Sequence, residues 1–419
     1  MSDDPLCRKL TPSEQQWLPQ TSLISLTCQL HPSAAEQRFS SKETLEKRVE
    51  ESRQRHPFLN VKVNPEELSF ERNSEIPVSL VELEADSAEE VRKAVREELE
   101  VGSIDRKVAL ARVVLLRTPS ASYLVLIGDH LCFDGKSFMI WLSDLVGGGD
   151  TSGKKMHDFV DWTSLIPDKS FSPFSPVFES VQLNALPVAD PAELMKAGID
   201  DVVCTIDSET LKKLKQRTKE KGTKLNAPLM MAYFAAMADA YLDQHEGKAE
   251  LPINVRSVSA ADLRDQVGLP SDYMNNSAST VPVHTSISTV EDGRVVGPLW
   301  PKAFDAQLVM KSNIAAGEGF RLNDITKRGA FAEFGPYFAI LCLWSNMGVC
   351  RVPDNSVASV EVHVHGVGNN PIISAHPITV GDHLAVTFSF SNVLHKRSTV
   401  EFIAQRFDHH IRYLADNAL

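Results

Sequence analysis

The stretch from Tyr123 to Leu145, YLVLIGDHLCFDGKSFMIWLSDL, limits what this chain can fold into more than any other. Tyr123-Leu124-Val125-Leu126-Ile127 is a continuous aliphatic and aromatic run closed by Gly128, the pattern of a strand covered on both faces. It predicts a central strand. From Ser137 to Leu145 the apolar residues Phe138, Trp141, Leu142 and Leu145 fall on one helical face. A strand therefore delivers His130 into a tight turn that opens a helix. Neutral imidazole accepts a proton near physiological pH, and a turn fixed between two packed elements holds its direction. A lone histidine at a strand end is more often a hydrogen-bonded structural residue than a base. Asp134 four positions on, Gly135 directly after it and the buried strand before it set this one apart.

His130-Leu131-Cys132-Phe133-Asp134-Gly135 resembles the HxxxDG motif of the acyltransferases built on the chloramphenicol acetyltransferase fold. That superfamily includes nonribosomal peptide condensation domains, alcohol acyltransferases and polyketide-associated ester-forming acyltransferases. The resemblance implies an α/β chain of two chloramphenicol acetyltransferase-like domains, each a mixed β-sheet flanked by helices, with a substrate channel at their interface. It implies direct acyl transfer in secondary metabolism, from a CoA or carrier-protein thioester to a hydroxyl or amine. His130 then accepts the proton of the attacking group, and Asp134 is structural. Gly135 leaves room for the donor's pantetheine arm, or permits the turn's backbone geometry.

Other segments resemble the same superfamily in chain order. Arg55-His56-Pro57-Phe58-Leu59-Asn60 is similar to an RHPxLR stretch, with Asn60 in place of the arginine that pairs with the motif aspartate in some relatives. Asp262-Leu263-Arg264 and Tyr273-Met274-Asn275-Asn276 are similar to a "DxR... YxGN" region, with Asn275 in place of glycine. A buried carboxylate neutralises unless a cation accompanies it, and arginine stays charged while binding both oxygens. Arg264 is the expected partner of Asp134; a surface arginine beside Asp262 and Asp265 is the ordinary alternative. Ser345-Asn346-Met347-Gly348 resembles an SNxG strand end bordering the channel. Ser345 or Asn346 is placed to donate to an oxyanion, or is a polar strand terminus satisfied by backbone. There is no DFGWG segment of the plant-type branch, and Asp129 stands where many relatives carry a first histidine.

At 419 residues the chain exceeds what one core usually supports. The expected division is an N-terminal domain over 1-165, a Pro/Ser-rich crossover over 166-195 and a C-terminal domain over 196-419. The polar start and the lack of any uncharged run of ~20 residues imply a cytoplasmic protein without a membrane span, and a monomer is expected. A net charge of -12 argues against a nucleic-acid partner. Six scattered cysteines read as reduced thiols, and Cys132 is not taken for an acylated nucleophile. No tightly bound cofactor and no metal are expected, the acyl-CoA or phosphopantetheinyl thioester being a co-substrate and an acyl carrier protein a candidate partner. His363 and His365 share a strand face with Glu361, but roughly 13 Å from Glu361 to His365 along a strand is too far for one ion. Lys212 to Lys221 reads as a solvated helix face, with binding of CoA phosphates the lesser reading. Gly147 to Lys155 reads as a flexible helix exit without phosphate-loop spacing. Two other classes stay open: a catalytically silent condensation-like binding protein, and a thioester hydrolase.

Overall fold

The computed structural model describes residues 4–19, 22–100, 104–147, 156–188, 198–352, 356–366 and 371–417, all but the side chain of Phe331. The chain divides into two compact units. The first comprises Met1–Pro167, Asp262–Ser277 and Val349–Gly366; the second comprises Asp168–Ala261, Ala278–Gly348 and Val367–Leu419. Two short segments from the later half of the sequence thus belong with the N-terminal unit. The glycine-rich stretch predicted as a helix exit lies, after Gly147, outside the described residues.

In the first unit a five-stranded sheet runs in the order Val357–Gly366, Ser22–Leu30, Ser122–Asp129, Ala111–Arg117, Val78–Glu82. All neighbours are antiparallel except the last pair. Ser122–Asp129 is the central strand, and its residues Leu124 to Ile127 are wholly buried. Val91, Val95 and Leu99, at and beside helix Ala88–Glu98, pack on Val114, Leu116, Val125 and Ile127. After the strand, helix Gly135–Val146 buries Phe138, Trp141, Leu142 and Leu145, and the Trp141 indole donates to Ser52 Oγ on helix Lys42–Arg53 at 3.0 Å. The Phe133 and Phe138 rings close over Gly128: a Cβ there would lie 2.8 Å from one and 2.9 Å from the other. Glycine at that strand position is what lets the turn fold back on the sheet.

In the second unit six strands run in the order Ala278–Ile287, Ile253–Asp262, Cys342–Trp344, Ile373–Val380, His383–Ser391, Ile199–Ile206. Its core is helix Asn226–Gln244, apolar around nearly its whole circumference and buried accordingly, packed on helices Arg397–Asp416 and Leu299–Ala315. The tract expected as a crossover belongs to this unit from Asp168 to Val188, the last of its described residues. The Arg321 guanidinium lies 4.8 Å from the Phe171 ring centre and 5.5 Å from that of Phe174, and donates to the Ser172 carbonyl at 2.7 Å.

The segments Phe58 to Val63 and Phe338 to Leu343 each have the sequence pattern of a strand, yet in both the strand starts later than the segment. Phe58 sits in a 3-10 turn, Pro57–Asn60, because Asn60 turns its amide back to the carbonyls of Arg53 and His56; the strand is Val61–Asn64. Phe338 ends a short helix, Phe334–Phe338, whose Pro336 carbonyl and the following Ala339 carbonyl accept from Arg256; the strand is Cys342–Trp344. Among the described residues no helix is long and apolar enough to cross a membrane.

Candidate active site

The turn from Asp129 to Gly135 joins the central strand to helix Gly135–Val146, and Asp134 is the helix N-cap, accepting from the Ser137 amide at 2.8 Å. Asp134 is 1% exposed. Arg264, equally buried, binds both carboxylate oxygens at 2.9 Å in a fork, the strong geometry for this pair. Ser137 Oγ and the Ser277 amide complete the carboxylate's shell at 2.9 and 3.1 Å. Arg264 in turn donates through Nε to the Tyr273 carbonyl at 2.7 Å, through Nη2 to the Asn275 carbonyl at 2.7 Å and through Nη1 to Asp262 at 2.8 Å. Burial alone would push the Asp134 carboxyl up, but the Arg264 charge and these hydrogen bonds hold it below the ordinary carboxylate value.

His130 is partly exposed. Its Nδ1 lies 3.0 Å from the Phe133 carbonyl. A carbonyl only accepts, so Nδ1 carries the hydrogen and Nε2 keeps its lone pair. No described residue forms a hydrogen bond to Nε2. Burial of the ring pushes the imidazole below its ordinary value, against the opposing pull of Asp134, the Phe133 carbonyl and Asp129. The ring is therefore neutral at physiological pH, with a basic nitrogen to spare. The His130 backbone is pinned on both sides, its amide donating to the Ser22 carbonyl at 2.8 Å and its carbonyl accepting from the Asn276 amide.

The first unit thus brings together His130, Asp134, Gly135 and Arg264. Gly135 is the first residue of the helix and is not among the glycines held in the left-handed region, so the turn does not rely on its conformational freedom. Ser345, Asn346 and Gly348 belong to the second unit. Asn346 donates to Asn226 Oδ1 at 2.5 Å and accepts from the Gly348 amide at 2.8 Å, with Gly348 at φ +81°. The Ser345 amide bonds the Ala375 carbonyl at 2.9 Å, and its hydroxyl has no partner among the described residues. Cys132 is buried, and burial pushes its thiol well up, which removes the thiolate a nucleophile needs. Glu361 is bound by Arg92 at 2.7 and 3.0 Å, with His363 Nε2 3.5 Å away. On the basic helix, Lys213 pairs with Glu209 and Asp416, and Lys215 with Asp382.

Sequence reasoning missed Arg106 and Trp17. Arg106 Nε donates to the buried Asp129 at 2.5 Å, and the Trp17 ring lies 4.7 Å from that of His130, centre to centre. One signal was present: an aspartate closing a fully apolar strand needs a cation as much as Asp134 does. Nothing in the local pattern singles out which arginine supplies it.

No protein-family model matches the chain, and no curated protein matches it. Solved structures do. The epimerization domain from the third module of tyrocidine synthetase B aligns with a TM-score of 0.65 at 13% identity, over 98% of this chain and 96% of that one. The trichothecene 15-O-acetyltransferase of Fusarium sporotrichioides aligns with a TM-score of 0.65 at 11% identity, over 97% and 95%. Polyketide synthase associated protein 5 from Mycobacterium tuberculosis aligns with a TM-score of 0.58 at 14% identity, over 96% and 97%. At such identities the likeness is one of fold. The chain has the condensation-domain, chloramphenicol acetyltransferase-like fold, with two sheet-rich units flanked by helices.

Proposed function

We propose that this protein is an acyltransferase that moves an acyl group from a CoA or carrier-protein thioester to a hydroxyl or amine of a small molecule. The observation that carries the reading is the His130 ring, held by its Nδ1–H on the Phe133 carbonyl with Nε2 unbonded. Nε2 takes the proton of the acceptor as its oxygen or nitrogen bonds the thioester carbon. Collapse of the tetrahedral adduct breaks the carbon–sulfur bond, and the proton passes to the departing thiolate. Asp134 and Arg264 fix the turn and do not exchange protons, because the bidentate pair keeps the carboxylate ionised. Placement of the base relative to the reacting atoms contributes alongside its proton affinity. The fold supports the reading: one of the aligned structures is described as an O-acetyltransferase.

Purified protein incubated with a panel of acyl-CoAs and carrier-bound acyl groups, with and without alcohol and amine acceptors, tests it. Thiol release that depends on acceptor is the expected result. Release without acceptor indicates a hydrolase that activates water with the same histidine. No release across the panel indicates a binding protein, a reading that Asn60, Asn275 and Asp129 in the first-histidine position permit.

A further inference from the structure

A second ion pair, between the buried Asp129 and the partly exposed Arg106, brackets the His130 turn, and the proposed chemistry makes no use of it. Asp129, the last residue of the central strand, is 1% exposed. Arg106 reaches it through Nε at 2.5 Å and Nη2 at 3.1 Å. The same carboxylate accepts from the Leu131 amide at 2.9 Å, and the Asp129 carbonyl accepts from the Cys132 and Phe133 amides, both at 3.0 Å. Arg106 also donates through Nη1 to the Leu18 carbonyl at 2.9 Å and through Nη2 to the Trp17 carbonyl at 3.2 Å. The Trp17 indole lies against the His130 imidazole, with centres 4.7 Å apart and planes inclined at 36°.

A guanidinium presents its donors in one rigid plane, so the groups it binds are held in fixed relation to one another. Here those groups are the carboxylate that starts the turn and the backbone that carries the ring packed on the imidazole. The Phe133 carbonyl that holds Nδ1–H is itself placed by the Phe133 amide, which is bonded to Asp129. We propose that Arg106 is a positioning residue for His130. Through Asp129 it sets the carbonyl that selects the imidazole tautomer, and through the Trp17 and Leu18 carbonyls it holds the indole against the ring. The proposal rests on His130 as the base, but its test needs no turnover.

The test is nitrogen-15 and carbon-13 spectroscopy of the full chain labelled in its 13 histidines, with the His130 signals assigned by their loss in His130→Ala. The parent should show the Nδ1–H tautomer. In Arg106→Gln the ratio of Nδ1–H to Nε2–H at His130 should fall about tenfold, the scale of one misplaced hydrogen bond. Arg106→Lys keeps the charge without the fork and should recover part of it. Trp17→Leu leaves the ion pair intact and should shift the ratio in the same direction, by about threefold. Thermal melts and near-ultraviolet circular dichroism establish which variants are folded. Folded Arg106→Gln and Trp17→Leu proteins with the parent's His130 signals overturn the proposal. If Arg106→Gln does not fold, Arg106→Lys and Trp17→Leu decide in the same way. A parent that shows the tautomer, loses it in the variants, and yet turns over no thioester sinks the acyl-transfer reading while leaving the positioning role standing.

Discussion

Each unit buries an aspartate among a histidine and an arginine, and the two constellations hand out their partners in opposite ways. In the second unit Asp239 binds His410 Nε2 at 2.8 Å, Arg406 Nε at 2.7 Å and the Val295 amide at 2.7 Å. Both side chains converge on one carboxylate, His410 is 2% exposed, and the knot ties helix Asn226–Gln244 to helix Arg397–Asp416 and to Val295. In the first unit Arg264 takes Asp134 with both arms, the histidine turns its Nδ1 to a carbonyl, and Nε2 is left over. Proximity of histidine to aspartate therefore does not distinguish a packing device from a base. Between these two clusters the difference is that His130 keeps one ring nitrogen unbonded in a partly exposed side chain, whereas His410 is buried with its Nε2 on the carboxylate.

That contrast can be broken by substitution, beginning with the largest effect. Arg264→Met leaves Asp134 buried without its cation, and should lower unfolding free energy in urea by ~3–5 kcal/mol. Part of the parent's stability is linked to this group. With the folded value depressed, the contribution is present above the ordinary carboxylate value of 3.8 and is lost as pH falls through the depressed one. In the variant, burial without the cation pushes the carboxyl above its ordinary value, so the Asp134 contribution should change sign, with stability gained and not lost as this group protonates in acid. Asp239→Asn weakens charged hydrogen bonds without emptying the site, and should cost ~1.5–3 kcal/mol in the same experiment while turnover per folded molecule stays at the parent level. The smallest effect sharpens the comparison. Burial holds the His130 imidazole below its ordinary 6.5, so the reactive neutral form persists into mildly acid solution. The acid limb of the kcat/KM profile should have its midpoint below 6.5; a midpoint above that value would place a carboxylate's influence ahead of burial.

One side of this contrast, the His130 turn with Asp134 and Arg264, was legible in the sequence; the Asp239 cluster was not. The strand and helix around the turn follow from strong local signals, the apolar run before Gly128 and the amphipathic helix after Asp134, whereas the fold class was what the resemblance of the HxxxDG turn implied. The residue types at the turn were visible because a charge ending a buried strand demands explanation. Phe58 and Phe338 fell outside the observed strands because side-chain hydrogen bonds decided the local backbone, a nearby one from Asn60's amide in one case and a distant one from Arg256's guanidinium in the other. The attachment of Val357–Gly366 to Ser22–Leu30 left no mark in either segment, since pairing across more than three hundred residues is set by register and not by local pattern. Arg106 was invisible for the same reason: one basic residue in a loop looks like any other until the strand end it serves is in place.

The most direct measurement is acceptor-dependent thiol release by His130→Ala and His410→Ala, each compared with the parent at equal folded concentration. Loss of the free imidazole should slow release by ~100- to 10,000-fold with the fold unchanged, and loss of the carboxylate-bound one should cost stability and leave the rate where it was. A His130→Ala protein that releases thiol at the parent rate, in the presence of the same acceptor, would contradict the account.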